Sequence, residues 1–536
     1  MKRILAILLV LALAIPCTSL AATKWAGTEP KSWLEDTSPV TLNMYVNFNW
    51  WTADWSDPTA KGITEETGVT VNVMTPVADD STQLINIINS GDVASMPDII
   101  LTQISTDGAV NEMLMESGYA APLDVLAKEY APEMFTNCDP DVWNGYVQED
   151  GHTYYLVNFN TAEYYQKMAL EYNQLIQSNQ PILLLRKDYY EEVGSPDIST
   201  PEGFFDTLVK IKALHPDKIA YYEGDSNIAS ANNADLGMLN YYFGVPLYCE
   251  DAEGNLTMNY NSDQWMAAAK FANKMARAGL YTKDSFIDDD ATQNAHKFNG
   301  DVICYSWTAI EHGLDIGNGA SYMAVEPWDS YTQFRTGTGW CSVFVNSQSP
   351  NVKRAIRFIS FMSSYEGLLA YAGVQAKEGE TYSGDPMVGP HYYVDEDGKP
   401  CIFKEFSQAM TEDGTLQSRT GATMYWWFGN SVQNNITTWD ASDEKMGYLN
   451  AVFGPHIVSR PDFANTYLKP AADSEAGTIF SKYRSQYNHF LADIVFAETD
   501  EAFDKAVQTF KDEMKAMGIE KLEKHYTDAH NAYLAK

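Results

Sequence analysis

Basic residues are scarce in this sequence. Lys and Arg together number 36 against 72 Asp and Glu, a formal net charge of −36 at neutral pH. So acidic a surface repels nucleic acid and anionic membranes and disfavours a polyanionic ligand. It suits a neutral or weakly basic ligand, and solubility alone is also a full explanation. Cysteine is sparse: Cys17, Cys138, Cys249, Cys304, Cys341 and Cys401, with no C-x-x-C spacing for a metal. Without Cys17 the count is odd, so complete pairing within the chain is excluded and at most one bridge is expected. The 9 histidines include no H-E-x-x-H. Gly337-Thr338-Gly339 lacks the third glycine and following helix of a dinucleotide loop, and no G-x-S-x-G elbow occurs. Asp288-Asp289-Asp290 and Asp395-Glu396-Asp397-Gly398 lack the alternating ligands and final bidentate Glu of a calcium loop, and read as solvated turns. No catalytic residue, cofactor or metal ligand is therefore expected.

Long apolar runs are missing beyond the start of the chain. Met1-Lys2-Arg3, the apolar run Ile4 to Ile15 and the small-residue end Ser19-Leu20-Ala21-Ala22 describe a secretory signal peptide over residues 1–21 or 1–22. That run is too short to span a bilayer. Cys17 offers a second reading, a lipid-modified N-terminus, but Pro16 stands where a small residue is wanted. The preferred reading is a soluble exported protein, in the periplasm or at the outer face of the cell membrane. A chain of 536 residues is long for one core, so two lobes are expected.

What is present is an α/β rhythm. Val40 to Val46 alternates as a strand, Ala60 to Gly68 reads as a helix closed by glycine, and Val69 to Met74 alternates again. Asp80-Ser81 can cap a helix whose core face is Leu84, Ile85, Ile87 and Ile88, and Ile99 to Thr102 is a short apolar strand. This order predicts a parallel sheet. A second α/β region follows, with a buried strand from Pro181, helices near 201–214 and 263–278, and a strand from Asp301 to Trp307. Gly339 to Val345 precedes an amphipathic helix from Asn351 to Ala372. Tyr392 to Lys399 resembles a hairpin, and residues 501–535 are helical with a break near Gly518.

Several stretches carry a resemblance. Thr64-Glu65-Glu66-Thr67-Gly68-Val69 follows the first strand, and Ser90-Gly91-Asp92 leads to Pro97-Asp98-Ile99. Leu185-Arg186-Lys187-Asp188-Tyr189 comes with Gly194 and Pro201, Ser349-Pro350-Asn351 opens the helix of Lys353-Arg354-Ala355, and the tail runs from Met517-Gly518 to Tyr533. In order and spacing these resemble the extracellular solute-binding proteins of family 1, the ABC-importer receptors for oligosaccharides, in the subgroup with LipO-like and YtcQ-like lipoproteins. The resemblance implies a type II, two-lobed periplasmic-binding-protein-like α/β fold whose discontinuous lobes share a hinge crossed more than once. Residues 40–180 and 341–460 would form the first lobe and 181–340 the second, with helices of 461–536 packing on the second.

A neutral oligosaccharide in the cleft is the implied ligand, and permease subunits of an ABC importer are the implied partner of a monomeric receptor. Peptides or other small solutes on the same fold, or a secreted glycoside hydrolase with two facing carboxylates, are the alternatives. Sugar recognition needs flat aromatic faces and polar partners for hydroxyls. In open α/β sheets, ligands bind beyond the carboxyl ends of strands. Trp50, Trp51 and Trp55 follow the first strand, and Trp307 ends a strand of the second region. Trp340 falls at the hinge, and Trp426 and Trp427 lie in a later aromatic cluster, where an extended backbone would aim only one at the cleft. Asn49, Asp54 and Arg186 are the polar candidates. For each tryptophan core packing is the competing role, and for Arg186 an ion pair with Asp188.

Overall fold

Alternating and apolar segments become two sheets in the computed structural model. It describes residues 29–48, 55–77, 81–104, 108–138, 140–148, 150–158, 181–223, 236–288, 290–336, 339, 341–396, 400–413, 415–425, 444–464, 468–471 and 474–535. The signal segment, Asn49, Trp50, Trp51, Asp54, Trp340, Trp426 and Trp427 lie outside the described residues. The strands are β1 (Val40–Val46), β2 (Val69–Met74), β3 (Ile99–Gln103), β4 (Tyr155–Val157), β5 (Pro181–Arg186), β6 (Ile219–Tyr222), β7 (Tyr248–Glu250) and β8 (Leu256–Met258). After them come β9 (Val302–Thr308), β10 (Tyr322–Ala324), β11 (Gln333–Arg335), β12 (Cys341–Val345), β13 (Tyr392–Val394), β14 (Pro400–Ile402) and β15 (Ile457–Ser459).

The first sheet has the order β2-β1-β3-β12-β4. β1 is parallel to β2 and β3, whereas β12 runs antiparallel to β3 and β4. Side chains alternate between its faces. Leu42, Met44, Val46, Ile99, Leu101, Val343 and Val345 enter one core with Ile356 and Ile359 of helix Val352–Met362. Tyr45, Ile100 and Phe344 enter a smaller one with Leu84, Ile88, Val110 and Leu114. Both faces are covered, so the central strands carry apolar side chains on both sides.

The second sheet has the order β10-β5-β9-β6. β5, entirely buried, is antiparallel to β9 and β10, and β6 is parallel to β9. Its core takes in helices Pro201–Leu214 and Asp263–Arg277 and the C-terminal helices Glu475–Val495, Asp500–Met517 and Ile519–Leu534. Trp265 stacks on Phe510, ring centroids 6.1 Å apart. This is the two-lobed α/β fold that was expected, and the chain passes between cores three times: between β4 and β5, between Tyr331 and β12, and between Tyr425 and Leu449.

Three expectations need correction. Residues 444–460 were expected with the first lobe, yet Leu449 and Phe453 lie in the second core. The helix expected from Asn351 to Ala372 is two, Val352–Met362 and Tyr365–Tyr371. Ser364 caps the second by accepting from the Gly367 amide, and a Cβ on Gly367 would stand 2.0 Å from the Phe361 carbonyl, so the kink is built around a glycine. Ser81 precedes helix Thr82–Ser90 without capping it through its side chain; its hydroxyl accepts from Asn47 Nδ2 instead, at 3.1 Å. Cys138, Cys249, Cys304, Cys341 and Cys401 are all free thiols.

Asn273 fastens the C-terminal helices to this lobe. Its buried Nδ2 donates to the carbonyls of Val495 at 3.0 Å and Ala497 at 2.8 Å, where helix Glu475–Val495 ends. Asn273→Leu strands these acceptors, and urea unfolding should show a loss of about 1–3 kcal/mol.

Candidate functional site

The carboxyl ends of β1, β3 and β4 and the start of β12 share one edge of the first sheet. Polar side chains collect there. Asn47 follows β1, its backbone amide donating to Leu101 at 2.9 Å and its Oδ1 accepting from the Tyr45 hydroxyl at 3.3 Å. Asn158 follows β4 and accepts from the Cys341 amide at 2.8 Å, while its own buried Nδ2 has no partner among the described residues. Just inside the edge, Thr102 donates to Asn111 Oδ1 at 2.5 Å and lies 2.8 Å from the Ser342 hydroxyl.

Two described aromatics that flank the aromatic-rich runs of the sequence, Trp55 and Tyr425, lie together in this lobe. Trp55, in the left-handed region at φ 66°, is buried; its indole N–H donates to Thr64 Oγ1 at 3.0 Å and its ring lies 4.7 Å from that of Tyr425. Asp57 caps helix Pro58–Thr67 through the Ala60 amide at 2.8 Å and accepts the Tyr425 hydroxyl. Burial pushes this carboxyl's pKa up, against the hydrogen bonds from Tyr425 and Ala60. Gly421 makes room for it: its φ is 69°, and a Cβ there would lie 2.0 Å from Asp57 Oδ1. Trp55 and Tyr425 are therefore held in one buried knot with Asp57.

In the second sheet Thr308 of β9 pairs with Pro181 of β5, so Trp307 stands at the end where β5 begins. The Trp307 ring is half-buried, with Lys297 Nζ 5.5 Å from its centroid. Lys297 Nζ donates to Glu311 Oε1 at 2.6 Å and the Tyr305 hydroxyl to Oε2 at 2.5 Å. On the opposite face of β9 lies Glu223, just past β6. Its buried carboxylate accepts from the hydroxyls of Tyr221 and Ser306 and from the Met238 amide at 3.1 Å. Gly237, at φ 62°, lacks the Cβ that would stand 2.1 Å from this carboxyl. Burial raises the pKa of Glu223 to about 7, outweighing those hydrogen bonds.

Of the tryptophans read from the sequence, the described residues place Trp307 half-exposed at a strand end. Trp55 is not at a ligand surface; Phe358 and Tyr425 enclose it, and it serves as an anchor. Arg186 is likewise elsewhere. It pairs with Asp188 at 2.6 Å, donates to the Gly300 carbonyl at 3.1 Å and lies over the Tyr189 ring. Because β5 is antiparallel to β9, Arg186 sits at the other end of the sheet from Trp307, about 13 Å away along the strand. Glu223, Lys297 and Glu311 were missed. The strand-end rule could have found Glu223, but β6 is too short to read confidently as a strand, and Lys297 and Glu311 are joined only by folding.

A family model described as bacterial extracellular solute-binding protein matches residues 59–377, and the chain belongs to that family. Among solved structures it is similar to the S. pneumoniae ABC-transporter substrate binding protein FusA in complex with kestose, at 15% identity and TM-score 0.64, covering 92% of this chain and 100% of that one. It is similar also to a solute binding protein of Bifidobacterium longum infantis that binds HMO, at 12% identity and TM-score 0.64, covering 93% and 99%. The N-glycan transport solute binding protein NgtS of Streptococcus pneumoniae aligns at 14% identity and TM-score 0.59, covering 93% and 99%. Curated sequences give no match. No helix among the described residues is long and apolar enough to cross a membrane.

Two outcomes follow from the buried carboxyls. Tyr425→Phe leaves Asp57 without its hydroxyl donor and should cost about 1–3 kcal/mol in guanidinium unfolding. For Glu223, the folded pKa of about 7 lies above the ordinary 4.5, so the native state keeps a proton that the unfolded state releases. Its contribution to stability is full below pH 4.5 and is lost as pH rises through about 7. Calorimetry across that range should show the slope of Tm with pH reduced in Glu223→Gln; identical slopes would refute the assignment.

Proposed function

We propose that this protein is an extracytoplasmic receptor that captures an oligosaccharide between its lobes and hands it, chemically unchanged, to an ABC importer. The observation that carries the reading is the shared disposition of strand ends. The polar side chains of Asn47 and Asn158 in the first sheet, and the Trp307 ring in the second, stand at the sheet ends from which the chain passes to the other lobe. Only a closed form can touch one ligand with both edges, so binding draws the population toward closure. The kestose complex of FusA and the Man5GlcNAc complex of NgtS support saccharide as the ligand class.

In this reading Trp307 supplies an aromatic face, Asn47 and Asn158 supply polar contacts, and residues 49–54, 340 and 426–427 add the remaining tryptophans and the carboxylate of Asp54. The first lobe comprises 29–158 with 341–425, and the second 181–336 with 444–535. The signal segment is removed after Ala21 or Ala22, and the receptor acts as a monomer outside the cytoplasmic membrane.

A thermal-shift series with kestose, Man5GlcNAc and a peptide pool tests this. A rise in Tm with a saccharide recovered intact is expected. A rise with peptide alone would overturn the ligand class, and cleaved glycan would make the protein an enzyme. Trp307→Ala should weaken binding of the active saccharide about tenfold by calorimetric titration.

A further inference from the structure

β11 lies on the second passage between the lobes. Just before it, the Tyr331 hydroxyl donates to the Pro181 carbonyl at 2.9 Å, at the end of the second sheet that carries Trp307. Just after it, the Gly339 amide donates to the Tyr146 hydroxyl at 3.0 Å and β12 enters the first sheet. β11 thus spans the interval between the two strand-end groups.

Its backbone is engaged, parallel to β15, and the Arg335 carbonyl accepts the Arg460 amide at 2.6 Å. Two of its side chains are only partly engaged among the described residues. Gln333 and Arg335, two residues apart, point to the same face and are 6% and 3% exposed. Among the described residues, neither Gln333 Oε1 nor Nε, Nη1 or Nη2 of Arg335 has a hydrogen-bond partner. Arg335 has no salt-bridge carboxylate there either, whereas Arg186, Arg354, Arg357 and Arg460 each have one. Burial lowers the guanidinium's pKa to about 10, opposed only by the phenols of Tyr331 and Tyr241. A buried cation left without a partner is strongly unfavourable. Orphaned groups of this kind in a native fold point to a partner supplied from outside.

We infer that Gln333 and Arg335 form a saccharide subsite that takes two neighbouring hydroxyls, one accepting from the guanidinium and the other donating to the amide oxygen. This rests on the oligosaccharide reading above and deepens it. The chemistry selects the ligand group: a hydroxyl both donates and accepts, whereas a carboxylate only accepts and would set its lone pairs against Gln333 Oε1. An ammonium only donates and would face the guanidinium charge.

The test uses the mature protein, the saccharide among kestose and Man5GlcNAc that stabilises the wild type, and the variants Arg335→Met and Gln333→Met. Arg335→Met should leave the free protein at the same or a higher Tm, because an unpaired buried charge is gone. Its affinity should fall about 10- to 100-fold, and that of Gln333→Met about tenfold. Wild-type affinity in either variant overturns the subsite. A lowered Tm of free Arg335→Met with unchanged affinity assigns Arg335 to structure and also overturns it. If Arg335→Met does not fold, Gln333→Met decides by the same criterion. Tighter wild-type binding of an oligogalacturonate than of the neutral sugar overturns the donor–acceptor match. A wild type that binds no saccharide takes the receptor reading down as well.

Discussion

Insertion of β12 between β3 and β4 is the constraint on which the rest depends. The first sheet is unfinished until residues 341–345 return to it, and Val343 then pairs with Leu101 on one side and Leu156 on the other. Cys341 and Asn158 lock the edge through backbone and side-chain hydrogen bonds. Everything between β4 and β12 must therefore leave and come back at the same edge. The second sheet forms in that excursion, so the passages between the lobes run beside the strand ends that offer polar and aromatic groups.

Buried carboxyls then set the surroundings of those ends. Asp57 ties the start of helix Pro58–Thr67 to Tyr425, although 368 positions separate the two. Glu223 ties the ends of β6 and β9 to Met238. Each has a glycine pressed against it, Gly421 and Gly237, at a positive φ. A side chain at either glycine would displace the carboxyl, so these knots are all-or-none. Trp55 is spent on packing because its ring closes the knot that Asp57 and Tyr425 form.

The strand and helix order was legible because both sheets and their helices have strong apolar periodicity. β1, β2, β3, β5 and β9 fall where alternation or apolar runs place them, and Gly68 and Gly518 end helices at φ 71° and 88°. The kink at Ser364 was not legible, since the apolar face continues across it. The site was read only in part. Trp307 does stand half-exposed at the end of a strand as read, but the same rule led to Trp55, whose burial depends on Phe358 and Tyr425. Arg186 looked like a ligand group because it is charged and ends an apolar strand; the antiparallel pairing of β5 sends it to the far end of the sheet.

By itself the sequence determined the α/β class, the two lobes, the family and the aromatic supply, because periodicity, composition and motif order are local properties. Only the tertiary structure decided which end of each strand faces the other lobe, which tryptophan is buried, and that residues 444–460 belong to the second core. It also decided that Arg335 lies buried without a carboxylate among the described residues. The reason is physical. Strand direction within a sheet and the pairing of a buried charge are settled by partners hundreds of residues away, and no local pattern records them.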